Sequence, residues 1–395
     1  GLGDVYKRQH INKTAETCCG CTACENICPR GAITMLPDKL GFYYPHVDVL
    51  KCIDCGLCVK VCDFTPSYVR KNKYSQPLVY AIRSLDKFEL NRSQSGAAFF
   101  EFAKTFLQSG GIVYGAGLEP DFSVKHRRVD TINDLEKLRM SKYTQSNMTN
   151  VFREIRSDLL NKRKVLFSGT PCQVCGLNSY MGTQLGENLT TIDLVCHGVP
   201  SPSVWREYIK FIEKKNGPIR TCTFRDKSFG WASHYESFLL QNGHKIVRRI
   251  FRDLFYSHIM LRQSCYNCPF TNFNRVADIT IGDFWGWSKI SNEFNDNLGL
   301  SLVLANSDKG RSLLTNTKNI ICRESSVNDC LQPQLQHPAQ RHPCREIFEA
   351  EFTAKGFEYV ARKYGVIGLR YQINKILLNL KHFYFALVWH LKHKQ

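Results

Sequence analysis

The stretch "CCGCTACENICPRGAITM" (residues 18–35) carries five cysteines between Cys18 and Cys28. Four of them, Cys18, Cys21, Cys24 and Cys28, follow the spacing C-x2-C-x2-C-x3-C, and Pro29 comes next. Cys52, Cys55, Cys58 and Cys62 repeat that spacing after a gap of 23 residues. A doubled run of this kind is the ligand pattern of two 4Fe-4S clusters: three thiolates two residues apart wrap one cubane, and the fourth turns away to the other. The spacing therefore assigns Cys18, Cys21, Cys24 and Cys62 to one site and Cys52, Cys55, Cys58 and Cys28 to its partner. Zinc, the rival metal, takes paired C-x2-C knuckles and not triple runs. Ile27, Ile33 and Val61 stand beside the ligands, where apolar side chains keep water from the sulfurs. Cys19 has no place in the spacing and reads as a bystander. Asp63 stands where the second run would have its proline, which alters the exit turn without removing a ligand.

Between the two runs, "GFYYPHVDVLKCIDCG" (41–56) is strand-like and then loops into the second site. Residues 11–66 are thus expected to form an α+β bacterial-type ferredoxin-like domain. The polar segment that follows, "DFTPSYVRKNKYSQP" (63–77), is broken by two prolines, and 67–76 read as a linker. The opening "GLGDVYKRQ" connects to no later pattern, and residues 1–10 are read as a non-native tail.

With 395 residues, 43% of them hydrophobic, the chain has enough apolar material for one large domain beside this small one. A chain of this length needs no disulfide staples, and no opening apolar segment directs secretion. The eighteen cysteines are expected to be reduced and the protein cytoplasmic. No apolar run reaches the roughly 18 residues that a membrane-spanning helix needs.

From Pro77 the texture changes to apolar strands alternating with amphipathic helices. "QSGAAFFEFAKTFLQSGGIVYGAG" (94–117) predicts a helix from about Ala97 to Gln108, stopped by Gly110 and Gly111, then a buried strand from Ile112. "VFREIRSDLLNKRKVLFSGTPC" (151–172) and "TTIDLVCHG" (190–198) each end a strand on a cysteine. "ESFLLQNGHKIVRRI" (236–250) predicts a hairpin turning at Asn242 and Gly243. Residues 77–345 are therefore expected to form an α/β core domain with a mixed sheet. Cys172 and Cys196 fall just past buried strands, and ligands collect at strand carboxyl ends in α/β sheets. Cys265 and Cys268 form a separate C-x2-C followed by Pro269. On spacing alone, these four leave zinc, a redox disulfide and a cluster all open.

"SGTPCQVCGL" (168–177), "DLVCHGVPSP" (193–202), "FRDKSFGW" (224–231) and "CYNCPFTNFNRVADITIGDFWG" (265–286) together resemble the family of coenzyme F-420 hydrogenase/dehydrogenase beta subunits. The resemblance spans about 77–344. It implies a core that holds FAD and one 4Fe-4S cluster, with Cys172, Cys196, Cys265 and Cys268 as the ligands, for three clusters in all. It also implies flavin contacts at Ser95 and Gly96, at Lys142, Tyr143 and Ser146, and at Asp278, Thr280, Gly282 and Asp283. A helix opening at Ser95 and Gly96 would suit a phosphate, and Lys142 would neutralise it or sit by the isoalloxazine. The "GDFWGW" segment and Cys175 depart from the family pattern and are expected near the substrate side.

These parts read as an iron–sulfur flavoprotein oxidoreductase. It would pass electrons between its clusters and a hydride-accepting substrate, coenzyme F-420 or another organic compound, because a flavin converts between one-electron and two-electron partners. The alternative is a non-catalytic electron-transfer subunit of a larger redox complex. No acid or base is assigned: His197 reads as structural, and Arg225, Asp226 and Lys227 either bind an acidic substrate or form a charged turn. The expected partner is a redox protein or ferredoxin. Residues 13–73 carry eight Lys or Arg and six Asp or Glu, so the net +18 of the chain sits almost wholly in the large domain, where it suits an anionic small-molecule substrate. No aromatic–basic motif supports nucleic-acid binding. Residues 346–395 read as a basic amphipathic helical C-terminus; from Ala361 to Gln395 it has seven Lys or Arg and no acid, which suits peripheral contact with an anionic membrane.

Overall fold

A computed structural model describes residues 10–64, 74–182, 185–368 and 373. Most of the predicted linker and nearly all of the basic C-terminal segment lie outside these residues. No helix among the described residues is long and apolar enough to cross a membrane.

The N-terminal lobe is built on an antiparallel ribbon of β1 (Ile33–Pro37) and β2 (Tyr43–Val47), with Ile33 opposite Val47. Two short helices, Ala23–Ile27 and Leu57–Lys60, carry the middle cysteines of the two runs. Each starts after a left-handed residue, Thr22 at φ 69° and Gly56 at φ 72°, so the chain doubles back sharply between the second and third cysteine of each run. Ile11, Cys24, Ile33, Met35 and Cys58 fill the small core between them.

The large domain is organised by eight strands: β3 (Leu78–Ser84), β4 (Ile112–Leu118), β5 (Val124–Val129), β6 (Val165–Gly169), β7 (Leu189–Leu194), then β11 (Ile279–Asp283), β12 (Ser301–Ala305) and β13 (Ile320–Ser325). Their order is β13-β3-β12-β11-β7-β6-β4-β5. The middle run β4-β6-β7-β11 is parallel, and every pairing outside it is antiparallel. Alternate residues supply the two faces. Ile112, Tyr114, Val165 and Phe167 pack under the helices Val151–Leu160 and Pro171–Met181, whereas Val113, Leu166, Ile192 and Ile279 pack under Ala98–Gln108 and Asp308–Asn316. Burial on both faces explains why the central strands read as unbroken apolar runs.

A second sheet of β8 (Ile219–Thr223), β9 (Glu236–Leu240) and β10 (Lys245–Arg248) contains the predicted hairpin, with Gly243 at φ 86° in its turn. An aromatic core around Trp205, Tyr208, Phe238 and Phe251 joins it to the helices Pro202–Asn216 and Arg345–Lys363. The fold is thus the expected α/β mixed-sheet core with an α+β ferredoxin-like lobe in front. The first long helix begins at Ala98, after Ala97 in the left-handed region at φ 68°.

Polar bonds dock the lobe on the core. Arg262, 1% exposed, donates to the carbonyl of Cys18 at 2.8 Å, the carbonyl of Tyr43 at 2.9 Å and Gln145 Oε1 at 2.9 Å. Arg153 donates to the carbonyls of Glu25 and Asn26, both at 3.0 Å, and the Ser201 hydroxyl donates to the carbonyl of Leu40 at 2.6 Å.

Candidate iron–sulfur and cofactor site

The lobe contains two cysteine-lined cavities. One is bordered by Cys28, Cys52, Cys55 and Cys58, the other by Cys18, Cys21, Cys24 and Cys62. The fourth cysteine of each run therefore lines the cavity of the opposite run. Backbone amides point at three of these sulfurs: Ile11 to Cys58 at 3.2 Å, Ala32 to Cys28 at 3.3 Å and Asp54 to Cys52 at 3.4 Å. All eighteen cysteines are free. The Cys28/52/55/58 cavity faces outward, where Cys55 is exposed, and is called the outer site; the Cys18/21/24/62 cavity abuts the core domain and is the inner site.

Four cysteines from three segments of the large domain meet beyond the inner site. Cys172 opens the helix after β6, Cys196 follows β7, and Cys265 and Cys268 come from the turn 263–268. Cys265 is in electrostatic reach of Cys196, Cys268 and Cys172. The Val199 amide donates to Cys265 Sγ at 3.4 Å. Burial pushes the Cys196 thiol up to about 11, Cys268 up to about 12 and Cys265 well above its ordinary value. These three sulfurs hold thiolate charge only against a cation, while Cys172 is lowered to about 7, and the four together, with no disulfide, suit a 4Fe-4S core.

Cys172 and Cys196 also border a cavity of about 360 Å³ at the carboxyl ends of β6, β7 and β11. Of the residues named for a flavin, Ser95, Lys142, Tyr143, Ser146, Gly282 and Asp283 line it. Gly96, Asp278 and Thr280 do not. The Gly96 amide is taken by Ser301 Oγ at 2.8 Å. Asp278 accepts from the Thr191 amide and from Ser307 Oγ, and Thr280 Oγ1 accepts from Arg275 and Asn306. Enclosure lowers the Lys142 ammonium to about 7, and its Nζ donates to the carbonyl of Arg139 at 2.6 Å.

The charged trio is bonded within the fold, and Arg225 also lines the cavity. Arg225 binds Asp283 at 2.7 Å, Asp226 pairs with Lys245, and Lys227 donates to the carbonyls of Leu90, Ser93 and Ser95. His197 is held between Gln334 at 2.8 Å and His258 at 2.6 Å. Cys175, expected on the substrate side, instead is buried on the face toward the lobe, within electrostatic reach of Cys21 and Cys62. The departure at "GDFWGW" does reach the cavity, through Trp285, which stacks on Trp231 at 4.8 Å.

Residues 162–326 match the C-terminal region of the family described as "Coenzyme F420 hydrogenase/dehydrogenase, beta subunit", and residues 17–65 match the "4Fe-4S dicluster domain". The two matches are regional, the first to part of the large domain and the second to the N-terminal lobe. The F subunit of F(420)H(2) dehydrogenase from Methanosarcina mazei is 23% identical over 171 residues, which is 40% of this chain and 46% of that protein. An uncharacterized ferredoxin of Methanocaldococcus jannaschii is 38% identical over 47 residues, 12% of this chain and 60% of its own length. The chain thus spans less than two thirds of either relative. A chain of the F420-reducing NiFe hydrogenase complex from Methanosarcina barkeri overlays with a TM-score of 0.45 at 16% identity, over 73% of this chain and 91% of that one.

Two polar residues of the cavity were not singled out from sequence. His126, 3% exposed, stacks on Phe167 at 5.2 Å and bonds the Ser168 carbonyl through Nε2 at 2.9 Å, while its Nδ1 has no protein partner. Gln94 lines the same wall with its Oε1 unpaired. Strand period would have found His126, because it shares the inward face of β5 with Val124.

Proposed function

We propose that this chain is an iron–sulfur flavoprotein oxidoreductase with three 4Fe-4S clusters and FAD, exchanging electrons between a redox partner protein and an anionic, hydride-accepting organic compound such as coenzyme F-420. One observation carries the reading: Cys172, Cys196, Cys265 and Cys268 converge between the inner site of the lobe and the mouth of the 360 Å³ cavity. Bound there, FAD supplies the exchange between one-electron and two-electron carriers.

The chain's own groups divide the work. Cys18, Cys21, Cys24 and Cys62 hold the inner cluster, and Cys28, Cys52, Cys55 and Cys58 the outer one. Ser95, Lys142, Tyr143, Ser146, Gly282 and Asp283 border the flavin. Lys142 supplies a cation, and the unpaired His126 Nδ1 an acceptor, for its polar atoms. Ile53 and Leu57, exposed on the rim of the outer site, and the exposed Leu50 two residues before Cys52 offer the partner an apolar landing surface.

Anaerobic purification with iron, sulfide and flavin analysis tests this. About 12 iron atoms per chain and one FAD are expected, at four irons per site. About eight irons, or no flavin, sinks it. The Methanosarcina mazei relative, named as a subunit, favours a second reading, a carrier feeding a partner enzyme. Turnover of reduced coenzyme F-420 with a dye acceptor by the isolated protein excludes that reading.

A further inference from the structure

The cavity wall just past the carboxyl end of β11 carries an indole that the flavin reading leaves unused. Trp285 borders the cavity and is 46% exposed, whereas Trp231 beneath it is 3% exposed. The two rings lie nearly parallel, 13° apart in plane and 4.8 Å between centroids. Trp231 thus covers one face of Trp285, and the other is left for a ligand. The support is firmly held. Trp231 donates its indole N–H to Asp283 Oδ1 at 2.9 Å and its amide to the Asn297 carbonyl at 2.9 Å, and its own carbonyl accepts from Arg225 at 2.5 Å. Asp283 Oδ2 accepts from Arg225 at 2.7 Å, so each oxygen of this carboxylate braces the platform. A Cβ on Gly286 would collide with the Asp329 carbonyl, so the turn behind Trp285 packs this closely only with glycine. Ile281 is the register partner of Leu194, and Trp285 therefore leaves the sheet at the same end as Cys196.

We propose that Trp285 is the stacking platform for the conjugated ring of the hydride-accepting substrate, so that the site selects planar ring compounds. This rests on the flavoprotein reading above. An indole face attracts a flat conjugated ring by offset stacking, and an aliphatic compound covers little of it. The cation that such a face also attracts is already supplied by Arg225, whose guanidinium lies 5.9 Å from the Trp285 centroid. Trp231 and Asp283 hold the indole in place before the ligand arrives, so little freedom is lost on binding. Exposure separates this position from that of the cofactor. Ser95 and Ser146, which border the flavin, are 7% and 8% exposed, as suits a resident group; the open Trp285 suits a compound that enters and leaves. Asp283 acts through Trp231 and is a positioning residue.

The test uses the anaerobically prepared full chain, loaded with clusters and FAD, as wild type, Trp285→Ala and Trp285→Phe. Equilibrium dialysis measures binding of two probes: coenzyme F-420, and its deazaflavin riboside stripped of the anionic tail. Iron and FAD content are read for each protein. The expected result is about tenfold weaker binding of both probes to Trp285→Ala, affinity within about threefold of wild type in Trp285→Phe, and unchanged iron and FAD in all three. Equal affinity of Trp285→Ala and wild type overturns the proposal, as does a loss confined to the tailed probe, which would make Trp285 a contact of the tail. Loss of FAD from Trp285→Ala overturns it by giving the indole to the cofactor, and a FAD-loaded wild type that binds neither probe overturns it too. A wild type that takes up no FAD refutes the flavoprotein reading instead, so the two failures are distinguishable.

Discussion

Gly176 meets Cys21 so closely that a Cβ on Gly176 would lie 2.6 Å from the Cys21 Sγ. The contact joins the helix Pro171–Met181, which begins with Cys172 at its second position, to a sulfur of the inner site. Neither side gives easily: Gly176 is mid-helix, and the sulfur is fixed by its site. Gly176→Ala is therefore expected to push the inner site out of register, lowering iron by about four per chain and stability by about 1–3 kcal/mol. Iron assay and thermal unfolding check this; full iron with an unmoved melting temperature would show that the contact relaxes freely.

Spacing made the eight lobe cysteines legible, because a cubane demands thiolates at intervals that the chain must supply locally. The core set was half legible. Cys172 and Cys196 announce themselves at strand ends, but their meeting with Cys265 and Cys268 depends on long-range topology that no local period encodes. Arg262 escaped for the same reason: it closes an apolar run, Ile259 to Leu261, and its three acceptors come from Cys18, Tyr43 and Gln145, far away in sequence. Cys175 was misplaced because its surroundings depend on which neighbours the folded lobe brings to it. Asp278 precedes β11 and Thr280 lies near its start, on the same face as Gly282, so position along the strand separates them from Gly282 and Asp283 at the carboxyl end that reaches the cavity.

Arg262 is the lobe's anchor and a buried cation beside Cys18 of the inner site. Replacing it with methionine leaves the carbonyls of Cys18 and Tyr43 and the Gln145 side chain without their donor, and exposes the ring of Tyr44, which lies 4.2 Å beneath the guanidinium. The expected cost is about 2–5 kcal/mol, with a downward shift of the inner-cluster potential as the positive charge goes. Arg262→Lys restores the charge but not the fork to three acceptors, so it recovers potential better than stability. Melting curves and EPR titration separate the two effects; equal recovery of both would remove the distinction.

Electron entry through the outer site predicts a selective defect. Leu50, two residues before Cys52, is 96% exposed, and Ile53, 61% exposed, lines the Cys28/52/55/58 cavity. Leu50→Glu with Ile53→Glu is expected to slow reduction by a protein donor about tenfold, equivalent to about 1.4 kcal/mol of lost transition-state contact. Reduction by dithionite, which needs no docking surface, stays at the wild-type rate, as does iron content. Stopped-flow bleaching with both donors measures this, and an equal slowing with dithionite would place the defect in the cluster rather than in docking.

On the proposed flavin reading, Lys142 is expected to set the pH dependence of cofactor binding. Burial lowers its ammonium to about 7, so in the flavin-free protein it is charged below that value and neutral above it. A phosphate or anionic ring bound beside it requires the charged form. Below pH 7 the charge is already present and affinity is full; above pH 7 each binding event must also take up a proton, and affinity falls by about tenfold per unit until the pKa of the bound state is reached. Lys142→Met removes both the charge and its titration, so it binds more weakly at pH 6 and shows a flat profile from pH 6 to 9. Fluorescence titration of flavin-stripped, cluster-loaded protein with FAD reads the slope directly. A flat wild-type profile would place Lys142 away from the cofactor's charge, whereas a slope that survives in Lys142→Met would assign the titration to another group.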